Sequence, residues 1–322
     1  MKTIDRKSIP PNQCFFTWDI HYACNYDCSY CFFHDTWEEE KKKNRYPGLA
    51  RWKEVWDEIF ARYGTAHLHI SGGEPFHYPD FIELVEHLVK NFTVEFDTNL
   101  SFDVAAFVRR VGPARVKFAT AFHPQFADFE EYIEKIKILK NGGYNLGVNF
   151  VAFPNQIKDM AYYKKRLDEI HVSFDIMPFR GKYQNNEYPQ SYSEEEIKII
   201  CECDPRTAPR MLAAYGKKEE TAKPSAEVKS PEPISANPHF GKLCRMGQMY
   251  AKIHANGNAY RCCLIKEPGL LGNLIDGTFK LYENEQICNY DKCSCWVAMV
   301  PGNEPNWLFH WKTPRVPGGH GK

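Results

Sequence analysis

The chain has 322 residues, and its 41 Lys and Arg are balanced by 41 Asp and Glu, so it carries no surplus charge for holding nucleic acid or an anionic membrane surface. No apolar run reaches the ~18 residues of a membrane span, and residues 1–13 lack the apolar core of a signal peptide. A cytoplasmic protein with one large domain and a small appendage is expected, in which the 12 cysteines are thiols and metal ligands rather than disulfides.

Residues 15–20 read as a short strand that opens into Cys24-Asn25-Tyr26-Asp27-Cys28-Ser29-Tyr30-Cys31. Three thiolates this close in sequence can face one object. A closed zinc site needs four protein ligands, and only His21 or His34 lies near enough to supply the fourth. An iron–sulfur cubane needs one ligand per iron, so three thiolates leave one iron open. Residues 37–45 are polar and read as a surface loop or exposed helix, and 49–63 has helical spacing with Trp52, Val55, Trp56, Ile59 and Phe60 on one, core-packing side. A strand over 66–70 then runs into Ser71-Gly72-Gly73-Glu74-Pro75, where glycines let the backbone approach a ligand and Pro75 stiffens the exit.

The alternation continues with helix 80–90, strand 92–97, helix 103–111, strand 115–121, helix 126–141, strand 145–153, helix 156–167 and strand 171–177. Six strand–crossover units predict an α/β fold with a parallel sheet and right-handed crossovers. Chemistry collects at the carboxyl ends of such strands, which nominates Thr98, Asn99, His123, Asn149 and Arg180. Each has a plainer role open to it: Asn99 turning the chain, His123 as a satisfied loop residue, Arg180 paired with a surface carboxylate. Helix 193–215 carries Cys201 and Cys203, read as free thiols. Residues 217–240 are rich in Lys, Glu, Pro and Ser, a composition that does not bury enough apolar surface to order itself, and read as linker or lid.

Six cysteines follow: Cys244, Cys262, Cys263, Cys288, Cys293 and Cys295. Segments 249–254 and 259–264 flank Ala255-Asn256-Gly257-Asn258 and predict a β-hairpin that brings Cys244 near Cys262. Cys263, adjacent to Cys262 on a strand, points the other way. A zinc ribbon suits these residues as well as a cluster does.

The first motif resembles the C-x3-C-x2-C signature of the radical S-adenosylmethionine (SAM) enzymes, including the aromatic Tyr30 before the third cysteine. Gly-Gly-Glu-Pro after the second strand resembles the segment with which that superfamily holds the cofactor's amino group. The spacing of Cys244, Gly257 and Cys262 resembles the opening of the SPASM and twitch auxiliary-cluster domains, whose later cysteine series is incomplete here. The resemblance implies a partial (β/α)6 TIM-like barrel over 1–216, a linker over 217–240, a small cysteine-rich hairpin/helix domain over 241–300 and a tail over 301–322. It implies a SAM-binding [4Fe–4S] cluster on Cys24, Cys28 and Cys31, and SAM seated by Gly72, Gly73, Glu74 and Pro75, with Tyr30, Asn99 and Arg180 as weaker contacts. It also implies one auxiliary [4Fe–4S] cluster on Cys244, Cys262, Cys293 and Cys295, with Cys288 the first replacement.

The activity implied is reductive cleavage of SAM to a 5′-deoxyadenosyl radical that takes hydrogen from a substrate carbon, fed by a flavodoxin- or ferredoxin-type reductant. Relatives of this kind oxidise small molecules, with the auxiliary cluster accepting an electron, or crosslink and epimerise ribosomal peptides. Only 23 residues precede Cys24, too few for a leader-binding domain, so oxidation of a small biosynthetic intermediate is expected and peptide maturation is the alternative. A non-enzymatic, zinc-bearing binding module is the reading from another class.

Overall fold

The computed structural model describes residues 14–206, 208–209, 212, 241, 243–262 and 269–288. Six parallel strands form its frame: β1 (Cys14–His21), β2 (Ala66–Gly72), β3 (Thr93–Thr98), β4 (Val116–Ala121), β5 (Asn145–Ala152) and β6 (Ser173–Pro178). Short α1 (Trp37–Lys41) and long α2 (Leu49–Tyr63) separate β1 from β2, and α3 (Phe81–Leu88), α4 (Val104–Arg110), α5 (Phe129–Asn141) and α6 (Met160–Glu169) follow β2 to β5 in turn. The alternation predicts this parallel α/β frame, and it has the form of the partial (β/α)6 barrel that the resemblance implies.

Parallel strands are usually apolar on both faces because helices cover both; here they alternate. Phe16, Trp18 and Ile20 on β1, Leu68 and Ile70 on β2, and Phe96 on β3 are fully buried on the face that packs against the helices. Trp18 meets Trp52 and Trp56 of α2 at ring-centroid distances of 4.7 and 5.1 Å. Truncating a buried tryptophan in such a layer costs about 3–5 kcal/mol. The opposite face carries His67, His69, Glu95 and Lys117 in paired registers. The inner face of the barrel is therefore polar, and the period of two records one dry and one hydrophilic side.

Two helix ends show how local chemistry sets the boundaries. Asp128 caps α5 by accepting from Glu130 N and Glu131 N at 2.9 and 3.0 Å. Ser193 and Glu196 form a reciprocal capping box at the start of α7 (Glu194–Cys203). This helix, expected over 193–215, stops at Cys203, after which Asp204 reaches back to accept from Ile176 N at 3.0 Å. Between β6 and α7 lies a hairpin, β7 (Gly181–Tyr183) and β8 (Asn186–Tyr188), that the sequence reading passes over. Its turn residues Gln184 and Asn185 have φ of 46° and 66°, a geometry for which Asn is a sequence signal.

The C-terminal hairpin, β10 (Tyr250–Ile253) and β11 (Asn258–Tyr260), forms where it is expected, with Gly257 at φ +86° in its turn. It does not stand apart. Strand β10 pairs in parallel with β1, Phe15 opposite Tyr250 and Trp18 opposite Ile253, so one sheet runs β12-β11-β10-β1-β2-β3-β4-β5-β6, with β12 spanning Leu270–Asn273. Strands β9 (Leu243–Cys244) and β13 (Gln286–Ile287) form a separate pair. The linker over 217–240, the tail over 301–322, and Cys263, Cys293 and Cys295 lie outside the described residues. Among those described, no helix is long and apolar enough to cross a membrane.

Candidate active site

Cys24, Cys28 and Cys31 occupy the loop that leaves β1 at its carboxyl end, folded by tight turns in which Cys31 N–H donates to Cys28 O at 2.9 Å and His34 N–H to Cys31 O at 3.0 Å. Burial and the neighbouring thiols push Cys28 up to about 12, and burial, joined by the Cys24 charge, pushes Cys31 up to about 11; burial raises Cys24 as well. Three thiols that resist ionisation beside one another form a donor set that calls for cationic partners. Among the described residues, no three His, Cys, Asp or Glu side chains converge on a single ion position.

The Gly-Gly pair has a more immediate task than admitting a ligand. A Cβ on Gly72 would lie 2.1 Å from His21 O, and one on Gly73 1.9 Å from Ala23 O. The two glycines let the chain leaving β2 lie directly on the chain entering the cysteine loop. Two hydrogen bonds join them there, Gly73 N–H to His21 O at 2.8 Å and Glu74 N–H to Ala23 O at 2.9 Å. The His21 ring adds a third, from Nε2 to Glu74 O at 2.7 Å.

Glu74 is buried and extends the same linkage to β3. Its carboxylate accepts from Thr98 Oγ1 at 2.8 Å, Asn99 N at 2.7 Å and Phe76 N at 3.2 Å. Burial nonetheless outweighs these donors and pushes its carboxyl up to about 7. Asn99 returns to the first loop, with Nδ2 donating to Asn25 Oδ1 at 3.0 Å and lying 3.9 Å from Cys24 Sγ. Thus Gly73, Glu74, Thr98, Asn99 and the cysteine loop are one hydrogen-bonded unit across the mouths of β1, β2 and β3. A cysteine loop with a backbone cradle beside it fits a cluster with one open iron and SAM's methionine end.

His123 and Tyr30 make a second group. Tyr30 Oη lies 3.1 Å from His123 Nδ1, and the rings stack at 5.8 Å with 22° between planes. Asn149 is in register with Ala121 and Asp175 on the inner face, and Arg180 is half-buried between β6 and β7.

The sequence reading passes over the charged inner face. His67 and Glu95 are 3.2 Å apart, His69 and Asp97 2.9 Å. Glu95 is held down at about 2 because His67, His69 and Lys117 outweigh its burial. Nearer the hairpin, buried Asp19 accepts from Lys252 Nζ at 2.5 Å and Ser71 Oγ at 2.8 Å. Lys252 and His254 overcome burial and lower its pKa. Alternate polar residues on strands expected to be covered on both faces were the available signal.

In the C-terminal part, Cys244, Cys262 and Cys288 are buried. Burial raises the Cys244 pKa, and the charges of Cys288 and Cys262 add to it. The β9–β13 pairing and Gly241 N–H to Cys288 O at 2.8 Å bring these segments together. Cys288, the replacement ligand of the sequence reading, thus stands with Cys244 and Cys262.

The family model for the Radical SAM superfamily matches residues 18–194, more than half of the chain. The protein belongs to the radical SAM superfamily, whose members carry a [4Fe–4S] cluster and SAM. Mycofactocin maturase MftC of Mycobacterium tuberculosis (strain CDC 1551 / Oshkosh) is 34% identical over 87 residues, 26% of this chain and 20% of that protein; the matched stretch is thus a fifth of that relative's length. The fold is similar to that of anSMEcpe solved with bound AdoMet, at TM-score 0.51 and 15% identity, covering 82% of this chain and 79% of that one. It is also similar to Streptococcus suis SuiB solved with its precursor peptide SuiA, at TM-score 0.52 and 14% identity, covering 85% and 66%.

Proposed function

We propose that this protein cleaves SAM reductively and abstracts hydrogen from a carbon of a polar substrate. The observation that carries this reading is the single hydrogen-bonded unit of the cysteine loop with Gly73, Glu74 and Asn99. Cys24, Cys28 and Cys31 would hold the cluster, and the β2 exit would seat the methionine end of SAM. When bound, the two together supply the radical that removes hydrogen from an unactivated carbon. The chain's own part is orientation. Glu74 holds the exits of β2 and β3 in fixed relation, and Asn99 ties that frame to the loop bearing Cys24. The polar inner face, with His69, Asp97 and Lys117, would take the substrate's polar groups. An external flavodoxin- or ferredoxin-type protein would supply the electron.

In this reading Cys244, Cys262 and Cys288, with a fourth ligand from Cys293 or Cys295, hold an auxiliary [4Fe–4S] cluster that accepts an electron, and the reaction is oxidation of a small biosynthetic intermediate. A second reading, a precursor peptide as substrate, is favoured by the 34% identity with mycofactocin maturase MftC over 87 residues and by the likeness to SuiB solved with its precursor peptide SuiA.

The test is anaerobic reconstitution followed by reduction in the presence of SAM. The protein is expected to form 5′-deoxyadenosine, and Cys24→Ala/Cys28→Ala/Cys31→Ala to form none. Cleavage by the triple variant would overturn the assignment of the loop.

A further inference from the structure

The three cysteines of the loop are not equally served by hydrogen-bond donors. Cys24 Sγ accepts from Tyr26 N–H at 3.4 Å and, at the longer distance of 3.9 Å, from Asn99 Nδ2, and Cys31 accepts from the backbone of Phe33. Cys28, the most buried of the three, meets two side chains. His123 Nδ1 lies 3.7 Å from its sulfur, and the Tyr30 hydroxyl hydrogen-bonds to it as well as to His123. Two further contacts hold these side chains in place. The Tyr26 ring meets His123 edge-on at 5.9 Å, and the Tyr30 ring packs on Phe153 at 5.2 Å.

We infer that Tyr30 and His123 form a hydrogen-bond relay onto the Cys28 sulfur that sets the reduction potential of the cluster bound there. The inference rests on the reading of the loop as a cluster site. A cluster-bound thiolate is an anionic acceptor, and hydrogen bonds to such acceptors are the stronger ones. One proton arrangement links all three groups: His123 Nδ1–H donates to Tyr30 Oη, and the Tyr30 O–H donates to Cys28 Sγ. Donors on a cluster sulfur stabilise the reduced, more negative state, and the residues that orient those donors tune the metal in turn. Cys31 has only a backbone amide, common to any residue at that position, and Cys24 adds to its backbone donor the distant Asn99 Nδ2 at 3.9 Å. The pair on Cys28 is a choice of side chain from two distant parts of the chain, and it makes His123 a positioning residue. It also gives Tyr30 a role towards the cluster rather than towards SAM.

The test uses the full-length reconstituted protein without substrate. The open-iron cluster is identified as the one whose EPR signal changes on adding SAM, and its midpoint potential is then measured by EPR-monitored titration without SAM. Tyr30→Phe, which removes a single oxygen, and His123→Phe should each load as much iron as the unaltered protein and shift that midpoint to more negative values. The double variant should shift it no further than Tyr30→Phe alone, because both act through one bond. His123→Asn, whose amide N–H can replace Nδ1–H, should recover much of the original midpoint. Unchanged midpoints in Tyr30→Phe with full iron loading would overturn the relay. Failure of the unaltered protein to load iron at this loop would instead overturn the cluster-site reading.

Discussion

Replacing Gly73 by Ala adds one methyl group where the exit of β2 crosses the chain leaving β1. That Cβ would lie 1.9 Å from Ala23 O, 2.4 Å from Ala23 C and 2.9 Å from Tyr22 C. All three atoms are backbone, so no side-chain rotation relieves the contact, and the segments must part by roughly 1–2 Å to reach van der Waals separation. Overpacking of this kind costs about 1–3 kcal/mol. The same movement breaks Gly73 N–H to His21 O and Glu74 N–H to Ala23 O, at about 1 kcal/mol each, so Gly73→Ala should destabilise the protein by about 3–5 kcal/mol. Urea unfolding of the iron-free protein reads this as a lower midpoint at unchanged m-value. Gly112→Ala is the control, since its φ is −77° and no atom lies within 4 Å of the added Cβ; it should change stability by less than about 0.5 kcal/mol. A Gly73→Ala protein as stable as the unaltered one but weakened in SAM binding would refute the packing argument and return this glycine to ligand approach alone.

Three other outcomes follow from the site. Glu74, pushed up to about 7 from an ordinary 4.5, binds its proton more tightly folded than unfolded, so the iron-free protein should lose about 3 kcal/mol of stability as pH rises from 4.5 to 7 through this group, with no contribution outside that window. Glu74→Gln should flatten that slope in urea titrations at a series of pH values, and an unaltered slope would assign it to other groups. Asp19→Asn should cost about 3–5 kcal/mol by leaving the mostly buried Lys252 cation without its carboxylate. It should also speed amide exchange in β10, whereas unchanged exchange there would show that the ion pair does not hold the hairpin. Reconstituted protein should contain about eight irons and Cys244→Ala/Cys262→Ala about four; stoichiometric zinc with no iron in the unaltered protein would remove both cluster assignments.

Much of the site was legible because its chemistry is local in sequence. Cys24, Cys28 and Cys31 fall within eight residues of one loop, so their spacing is visible without the fold, and Gly72-Gly73-Glu74-Pro75 declares itself by glycines that a strand interior would not tolerate. The six strand–helix alternations declare the sheet for the same reason, since each unit is a short-range pattern of period two followed by one of 3.6. The function of the glycines was not legible: their need comes from the backbone of His21, Tyr22 and Ala23, some fifty residues earlier.

The sequence by itself determined the parallel α/β frame, the three-thiol loop, the Gly-Gly-Glu-Pro exit and a second cysteine group bound to a hairpin. Tertiary structure alone decided what those parts touch. The pairing of β10 with β1 joins the hairpin to the barrel sheet, and Lys252 reaches Asp19 only through that register. Likewise, Glu74 meets Thr98 and Asn99, Tyr30 meets His123, and Cys288 stands by Cys244. Propensity and periodicity act over a few residues and fix which elements form. Contacts between elements depend on strand order, register and the burial they allow, which no local pattern encodes.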